Sequence, residues 1–347
     1  MRGDWPYVRV PSSNARMNYS GRWRSTLAGI SMIVLFCLLL LSSGCGGGSS
    51  SGGMSGSGTP GSGSPGSGSP GSGNPGSGGP SGESASVPLF GHVFLVVEEN
   101  HSYDEVIGNS AMPYFNGLAS QYGLAAQYYA NAHPSIGNYF MLTTGELETS
   151  DDSFAGVVTD DNLVRELVKA GKSWRSYAEG LPSIGYLGGD SSPYLKRHNP
   201  FAYFSDVVND PAQAANLVPF SQFATDLASG SLPDFSFIVP DALDDAHNGT
   251  LAGADLWLQQ NVQPLIASPL FQNDSLLIIT FDESEQSDVL HGGGHVATVI
   301  VSAKALPKYQ SQTTFQHESS LRLIMEALGL QTDLGQAESA PDMSEFF

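Results

Sequence analysis

The sequence of 347 residues has only two cysteines, Cys37 and Cys45, and both lie near its beginning. The chain after Cys45 therefore contains neither disulfide bonds nor metal sites built from thiolates. Lysine and arginine are also scarce: they number 14, against 34 aspartate and glutamate residues, and the formal net charge is −20. A field of this sign repels phosphate backbones and anionic lipid headgroups. We therefore predict no nucleic-acid partner.

Long apolar runs are scarce as well, and the most apolar stretch, centred on residues 30–41, has the features of an export signal. It follows the basic residues Arg22 and Arg24 and ends in the small residues 42–44, directly before Cys45. A basic segment, an apolar segment and a small-residue cleavage site are together typical of a signal peptide.

A cysteine directly after such a site resembles the lipobox of bacterial lipoproteins, in which the thiol is lipidated and becomes the new N-terminus after cleavage. Ser42 departs from this pattern, since leucine is usual three residues before the cysteine. We predict a signal peptide over residues 1–45, beginning at Met1 or Met17, with lipidation at Cys45. With such a signal, we expect the protein to be exported to the cell envelope, either to the periplasm or to the cell surface. The lipid or signal anchor is then its expected contact with the membrane. A plain secretory signal or an uncleaved anchor helix is the alternative.

Glycine, serine and proline dominate the next segment, residues 46–86. Within it, the pattern GSGxP occurs five times in succession over residues 56–80. Such a composition has too little apolar surface to form a core, so we predict a flexible linker that its prolines partly stiffen. The remaining residues, 87–347, form the predicted functional domain.

Short apolar segments alternate with amphipathic ones in this domain. Four segments rich in β-branched residues predict strands buried on both faces; they are residues 92–97, 235–239, 276–281 and 296–301. Three others have the pattern of helices; they are residues 162–170, 253–262 and 319–330. Strands that alternate with helices predict an α/β sandwich around a mainly parallel sheet.

Polar residues follow three of the predicted strands at the point where each strand ends. They are Glu98, Glu99 and Asn100 after the first strand, Asp241, Asp244, Asp245 and His247 after the second, and Asp282 and Glu283 after the third. The carboxyl ends of the strands of an open α/β sheet form one crevice, so we expect these side chains to meet. Clustered carboxylates with nearby histidines suit a divalent cation. Each set taken alone is equally compatible with a solvated loop.

The segment HPSIGN, residues 133–138, predicts the start of a helix. Pro134 disfavours a helix before it, and Ser135 is expected at the N-cap position. A serine there lies beside unpaired backbone N–H groups and the positive end of the helix dipole, which suits a phosphate group. Ser135 either caps the helix only or acts as a nucleophile. Because no GxSxG elbow or Ser-His-Asp order is evident, activation by a metal is the favoured form of the second hypothesis.

Six sequence blocks follow one another between residues 90 and 330. They are VVEENHSYDEVIG (96–108), NAHPSIGNYFMLTTG (131–145), RHNPFAYF (197–204), FIVPDALDDAHNG (237–249), IITFDES (278–284) and GGGHVATVIVS (292–302). In this order they resemble the phosphoesterase family, which contains bacterial phospholipases C and acid phosphatases and belongs to the alkaline phosphatase superfamily. The resemblance implies a three-layer α/β/α sandwich, alkaline-phosphatase-like, and a metal-dependent phosphoric ester hydrolase.

The resemblance also implies the residues of a metal site. Glu99 and Asn100 match the metal-binding pair after the first strand, and Ser135 matches the serine that attacks phosphorus and contacts the metal. Asp282 and Glu283 match an acidic pair that is Asp-Asp in several phospholipase-like members and Asp-Glu in smaller phosphatase-like ones. The Asp-Glu pair favours the phosphatase branch. The two-zinc Asp-His-Gly block of the superfamily is absent, so we expect one or two divalent ions of unassigned identity.

Four further residues are implied to contact the substrate. His247 and His198 match histidines that protonate the leaving group or contact phosphoryl oxygens, and either could instead bind metal. His198 also has the alternative of a buried structural histidine. Asn138 is expected to hold phosphoryl oxygens, and His295 is a further candidate for substrate binding.

The predicted function is therefore that of an acid-phosphatase-like phosphomonoesterase, which hydrolyses a small phosphate ester through a phosphoserine at Ser135. A phospholipase C or phosphodiesterase of the same family is the main alternative. A sulfatase is less favoured because it needs a formylglycine precursor at the position of the nucleophile. A catalytically silent binding lipoprotein is the non-enzymatic alternative, and the sequence does not indicate the oligomeric state.

Overall fold

The computed structural model describes residues 86–331 and 333–347. The predicted signal peptide (1–45), its Cys45 and, apart from Ser86, the predicted linker (46–86) lie outside the described residues, and so they stay predictions. Among the described residues, no helix combines the length and the apolar character that a membrane span requires.

Strands and helices alternate along most of the described chain. The strands are β1 (His92–Glu98), β2 (Gly123–Ala125), β3 (Tyr128–Tyr129), β4 (Trp174–Ala178), β5 (Leu217–Pro219), β6 (Phe235–Val239), β7 (Ser275–Phe281), β8 (Thr298–Val301), β9 (Gln310–Ser311) and β10 (Phe315–Gln316). The α-helices are α1 (Tyr103–Val106), α2 (Pro113–Gln121), α3 (Ser135–Thr144), α4 (Leu163–Lys169), α5 (Ser205–Val208), α6 (Pro211–Ala214), α7 (Ser221–Ser229), α8 (Leu251–Ile266), α9 (Pro269–Asp274) and α10 (His317–Ala327). The 3₁₀ helices are Lys196–His198, Pro200–Tyr203, Gly335–Glu338 and Ser344–Phe346.

Eight of these strands form one sheet in the order β5-β4-β6-β1-β7-β8-β2-β9. β1 lies between β6 and β7 and is parallel to both, with Leu95 opposite Phe237 on one side and Ile278 on the other. β4 and β5 continue the parallel half, whereas β8 runs antiparallel to β7 and to β2. The predicted mainly parallel sheet is therefore confirmed. β3 and β10 pair separately in a small second sheet.

Helices cover both faces of the central sheet. Side chains alternate along each strand between the two faces. On one face, Phe94 of β1 contacts Phe223 of α7, with ring centroids 6.4 Å apart. On the other face, Phe237 of β6 packs against Tyr139 of α3 at 6.2 Å and against Phe201 at 5.1 Å. The two helical layers complete the expected three-layer sandwich.

The four apolar segments predicted as strands are β1, β6, β7 and β8. Every residue of β6 and β7 is buried, because helices cover both faces, and this explains why their sequences lack polar alternation. The sequence pattern does not reveal β4, which Arg175 interrupts, or β5, which has only three residues. Helix α8 is longer at both ends than predicted, since the Thr250 side chain caps it by accepting from the Gly253 N–H (3.1 Å).

Candidate active site

The carboxyl ends of β6, β1 and β7 lie side by side and bring three of the predicted acidic residues together. Glu99 follows β1, Asp245 lies in the loop after β6 and Asp282 follows β7, and all three are fully buried. Backbone hydrogen bonds join these segments. The Glu99 N–H donates to the Asp245 carbonyl and the Asp282 N–H donates to the Glu98 carbonyl, both at 2.9 Å. The expected meeting of strand-end carboxylates is confirmed for these residues.

Ser135 reaches this cluster from the first position of α3. The prediction that Ser135 is the N-cap is wrong, because Pro134 occupies that position with the extended conformation that a cap requires (φ −84°, ψ −175°). The Ser135 hydroxyl instead donates to Glu99 Oε2 at 3.1 Å. The next backbone group, the Ile136 N–H, donates to Asp152 Oδ1 at 3.2 Å. The start of α3 therefore presents a hydroxyl to the carboxylates.

Asn100 completes a set of oxygen-bearing side chains around Ser135. One terminal atom of its amide lies 2.6 Å from Glu99 Oε2 and 3.2 Å from Asp282 Oδ1, and 3.4 Å from Ser135 Oγ. If this atom is the amide nitrogen, it donates a hydrogen bond to each carboxylate. If it is the amide oxygen, it faces two carboxylate oxygens, and a cation is needed between these oxygen atoms. Asp282 Oδ2 is buried without a hydrogen-bond partner. Oxygen donors of this kind are those that hard divalent cations prefer, so the residues fit the expected ion.

Burial and mutual repulsion oppose ionisation of these carboxyls. Burial, with added repulsion from Asp282 and Asp245, raises the pKa of Glu99 well above its usual range. Burial raises the pKa of Asp282 to about 7. Burial together with the charge of Asp282 raises the pKa of Glu283 to about 9. A bound cation favours the ionised forms and so reverses these shifts.

Glu283, the fifth predicted metal ligand, lies at the border of this oxygen set. Its Oε2 is 3.0 Å from His133 Nδ1, and His133 Nε2 is 2.8 Å from the Asp288 carbonyl. Glu283 is nevertheless close enough to Asp282 for the two charges to interact. His133 therefore holds Glu283 beside the other carboxylates.

The two predicted catalytic histidines lie on the other side of Glu99. His198 Nδ1 is 3.3 Å from both Glu99 Oε1 and Asp245 Oδ2. The His198 ring stacks on that of Tyr139, with centroids 5.2 Å apart. His247 is partly exposed, and its ring lies 5.7 Å from that of His198. Both histidines thus belong to the same cluster as Ser135.

His198 and His247 differ in their surroundings. Burial lowers the pKa of His198 well below its usual range, and the nearby Arg197 adds to the effect. His198 Nε2 is buried without a hydrogen-bond partner. Burial therefore favours the neutral form of His198, and His247 is the more exposed of the two. Glu99, His198 and His247 also present one ligand atom each within 4.8 Å of one another, which is a second donor group for an ion.

The side chain of Asn138 bonds to backbone groups close to Ser135, and its predicted contact with phosphate stays a prediction. Its side chain is fully buried, its oxygen accepts the N–H groups of Asn131 and Ala132 (both 3.0 Å), and its nitrogen donates to the Ala132 carbonyl (2.8 Å). These bonds tie the segment before Ser135 to the helix that follows. Asn138 is therefore a positioning residue.

His295 is engaged away from Ser135. Its ring lies between those of Tyr103 and Tyr129, with centroids 4.2 and 4.8 Å away. Its Nε2 is 3.1 Å from the Ala126 carbonyl, next to strand β2 at the far side of the sheet. His295 thus packs between two tyrosines, and its predicted substrate contact stays a prediction.

Several residues of the site escape the sequence-based prediction. Tyr139 donates a hydrogen bond to Glu99 Oε1, and Arg197 Nε lies 3.4 Å from Asp152 Oδ2. His133 and Tyr139 flank Ser135 within one sequence block, and Arg197 precedes His198 in another. Their position next to predicted site residues is the feature of the sequence that could have identified them. Asp152 has no such signal, since it lies in a polar loop.

A sequence profile of the phosphoesterase family matches residues 109–331. The chain belongs to the phosphoesterase family. The matched span includes Ser135 and Asp282 and begins just after Glu99 and Asn100. The matched span thus covers β4, β5, β6 and β7 of the parallel half of the sheet, but not β1 or the residues that directly follow it.

Relatives within this family are phosphatases by description. The phosphatidylinositol-3-phosphatase of Mycobacterium tuberculosis is 32% identical over 268 residues, which are 76% of this chain and 85% of the relative. The probable acid phosphatase of Kluyveromyces lactis is 30% identical over 241 residues, 67% of this chain and 56% of the relative. This chain therefore spans little more than half of the yeast protein. This family member is a hydrolase that acts on phosphoric ester bonds.

Solved structures share the fold at low sequence identity. The lipoteichoic acid synthase LtaP of Listeria monocytogenes aligns with a TM-score of 0.51 at 13% identity, over 70% of this chain and 74% of that one. A protein of the alkaline phosphatase superfamily from Vibrio parahaemolyticus aligns with a TM-score of 0.50 at 11% identity, over 74% and 69% of the two chains. The expected alkaline-phosphatase-like architecture is thereby confirmed.

Proposed function

We propose that this phosphoesterase is a metal-dependent phosphomonoesterase that acts through a phosphoserine at Ser135. The observation that carries the proposal is the position of the Ser135 hydroxyl, 3.1 Å from Glu99 Oε2 within a buried set of oxygen donors. A serine in such surroundings has both an acceptor for its proton and a site for a cation.

Glu99, Asn100, Asp282 and Ser135 would hold the divalent ion, with Glu283 beside them. When bound, such an ion lowers the pKa of a hydroxyl that it contacts and neutralises charge that develops on the phosphoryl group. The unpartnered Asp282 Oδ2 and the amide of Asn100 support this assignment.

The first step is attack of Ser135 Oγ on phosphorus. The hydroxyl proton leaves along the existing hydrogen bond to Glu99, the new O–P bond forms, and the bond from phosphorus to the leaving oxygen breaks. Tyr139, which donates to the other oxygen of Glu99, keeps that carboxylate in place. Positioning of this kind supplies most of the catalysis in phosphoryl transfer.

His247 protonates the leaving alkoxide in the same step. Its partial exposure and its distance of 5.7 Å from the neutral His198 ring support this role. In the second step, His247 takes a proton from water, which attacks the phosphoserine. The bond from Ser135 Oγ to phosphorus breaks, and Oγ recovers its proton from Glu99. Arg197, whose Nε has no hydrogen-bond partner, supplies a positive charge for the oxygens of a phosphate dianion.

Monoesters are the favoured substrates because the relatives are described as acid phosphatases and as a phosphatidylinositol-3-phosphatase. Hydrolysis of p-nitrophenyl phosphate, compared with p-nitrophenyl phenylphosphonate and p-nitrophenylphosphorylcholine, tests this preference. We expect turnover of the monoester that a chelator abolishes. Activity confined to the other two esters would assign the protein to the phosphodiesterases or phospholipases C.

Trapping the phosphoserine tests the mechanism. Acid quenching during turnover of p-nitrophenyl phosphate should leave one phosphoryl group on the peptide that contains Ser135, detected by mass spectrometry. Ser135→Ala should lose this label and lower kcat by roughly 10³-fold or more. Ser221→Ala is the matched control, since Ser221 also begins a helix but lies on the opposite face. A Ser135→Ala enzyme with more than a few per cent of the activity would contradict the proposed nucleophile.

A further inference from the structure

Glu98 and Glu99 are neighbours in the sequence but extend to opposite sides of the sheet, because successive side chains of a strand alternate. Glu99 enters the cluster around Ser135. Glu98 lies on the face of Phe94, which contacts Phe223 of α7. Glu98 is fully buried, and neither of its carboxylate oxygens has a hydrogen-bond partner. The proposed hydrolysis does not use it.

The register of the sheet places a second glutamate on the same face as Glu98. The pairings of β1 with β6 and of β6 with β4, continued past the last paired residues, put Glu98, Pro240 and Glu179 in one row across three parallel strands. Two strand spacings separate the α-carbons of Glu98 and Glu179 by roughly 10 Å. Two glutamate side chains can reach a shared ion across this distance.

The loop after β6 adds two aspartates to this face. Glu179, Asp241 and Asp244 each present a carboxylate oxygen, and these oxygens lie within 4.8 Å of one another. The Asp241 N–H donates to Glu179 Oε2 at 3.2 Å, which holds the loop against the end of β4. The charges that face Glu98 are those of Asp245, Asp244, Asp255 and Glu179.

No basic side chain balances this charge within the described part of the chain. Glu98, Glu179, Asp241 and Asp244 form no ion pair there with lysine, arginine or histidine. A buried carboxylate without a partner is costly in its charged form, so either a proton or a cation from solution must neutralise it. Glu179, one member of the cluster, also lines a cleft of about 400 Å³ and is therefore open to solution.

We propose that Glu179, Asp241 and Asp244 bind a divalent cation on the face of the sheet opposite Ser135, with the buried Glu98 carboxyl nearby on the same face. The set has only carboxylate oxygens and no imidazole, which favours Ca²⁺ over Zn²⁺. The ion joins the end of β4 to the loop after β6. This ion site is separate from the proposed hydrolysis and does not depend on the chemistry at Ser135.

Terbium luminescence provides a readout separate from activity. Tb³⁺ replaces Ca²⁺ at oxygen sites and emits when a nearby tryptophan is excited. Trp257 lies beside the Glu179 carboxyl, so Tb³⁺ added to the metal-stripped full chain should emit on tryptophan excitation. Excess Ca²⁺ should displace the signal. Trp257→Phe should remove the emission but keep Ca²⁺ binding, as measured by calorimetry.

Substitutions at the rim of the cluster test the ligands. Glu179→Gln combined with Asp244→Asn should weaken Ca²⁺ binding by at least tenfold and abolish Tb³⁺ emission. Both residues are partly exposed, so this variant keeps the core intact even where Glu98→Gln does not fold. Glu338→Gln, on an exposed position of a 3₁₀ helix, is the matched control for the lost charge and should bind as the wild type does.

Asp282→Asn separates this site from the one around Ser135, and it should keep the Tb³⁺ emission through Trp257. Three results would each overturn the proposal. They are a wild-type chain that binds neither Ca²⁺ nor Tb³⁺, an unchanged Ca²⁺ affinity in the double variant, and loss of the emission in Asp282→Asn. The first rejects the site itself, and the last assigns the bound ion to the Ser135 cluster.

Discussion

Two clusters of carboxylates lie at the same end of the sheet, one on each face, and they differ in what the neighbouring helices contribute. The cluster around Ser135 receives from α3 a hydroxyl at 3.1 Å from Glu99 Oε2 and a hydrogen bond from Tyr139. The cluster around Glu98 receives from α8 the buried indole of Trp257. Both concentrate negative charge and suit cations, but only the first contains the proposed nucleophile. Clustered carboxylates thus indicate an ion site, and the side chains of the adjacent helix determine whether that site can also catalyse a reaction.

Among substitutions that keep the Ser135 hydroxyl, removal of one carboxylate from the cluster around it should have the largest effect. Asp282→Asn takes away a charge next to Asn100 and Ser135, so it should lower kcat/KM for p-nitrophenyl phosphate by more than ~10²-fold and weaken metal binding. Added metal should restore part of the activity. Steady-state kinetics with metal titration measure both effects, with Glu338→Gln as the charge-matched control. Near-normal kcat/KM in Asp282→Asn would mean that this cluster does not hold the catalytic ion, and the distinction between the clusters would fail.

The sequence predicts the centre of the fold better than its edges. β6 and β7 are continuous apolar runs because both of their faces are buried, so their pattern is strong. β5 and β9 have three and two residues and exist only through pairing with neighbours, which no local pattern encodes. Hydrophobic periodicity therefore identifies the strands that carry the site, and tertiary pairing supplies the rest.

The two histidines of the cluster around Ser135 should differ in how their loss depends on the leaving group. His247→Gln should slow hydrolysis of alkyl phosphates by roughly 10²-fold but affect p-nitrophenyl phosphate only slightly, since p-nitrophenolate leaves without a proton. His198→Gln should slow both substrates alike, because His198 contacts Glu99. His92→Gln, at the opposite end of β1, is the control. Equal losses on both substrates in His247→Gln would remove His247 from the role of proton donor.

The sequence predicts most residues of the site but not their partners. Glu99, Asn100 and Asp282 follow strands whose ends meet, so their convergence with Ser135 is readable from motif order. Asn138 lies in the same motif as Ser135, yet it bonds to backbone groups of residues 131 and 132, which only the folded turn brings within reach. The separation of Glu98 from Glu99 follows from strand alternation, but the carboxylates around Glu98 depend on the register with β4.

Two buried phenylalanines, one on each face, provide the smallest and most selective test of the comparison. Phe237→Leu and Phe94→Leu should each lower the free energy of unfolding by roughly 1–2 kcal/mol, because both side chains are fully buried. Only Phe237→Leu should also lower kcat, by severalfold, since Phe237 packs against Tyr139, which holds Glu99. Urea unfolding and kcat with p-nitrophenyl phosphate measure the two effects. An equal loss of kcat in Phe94→Leu would mean that the two faces are coupled through the sheet and that the helix next to Ser135 does not act alone.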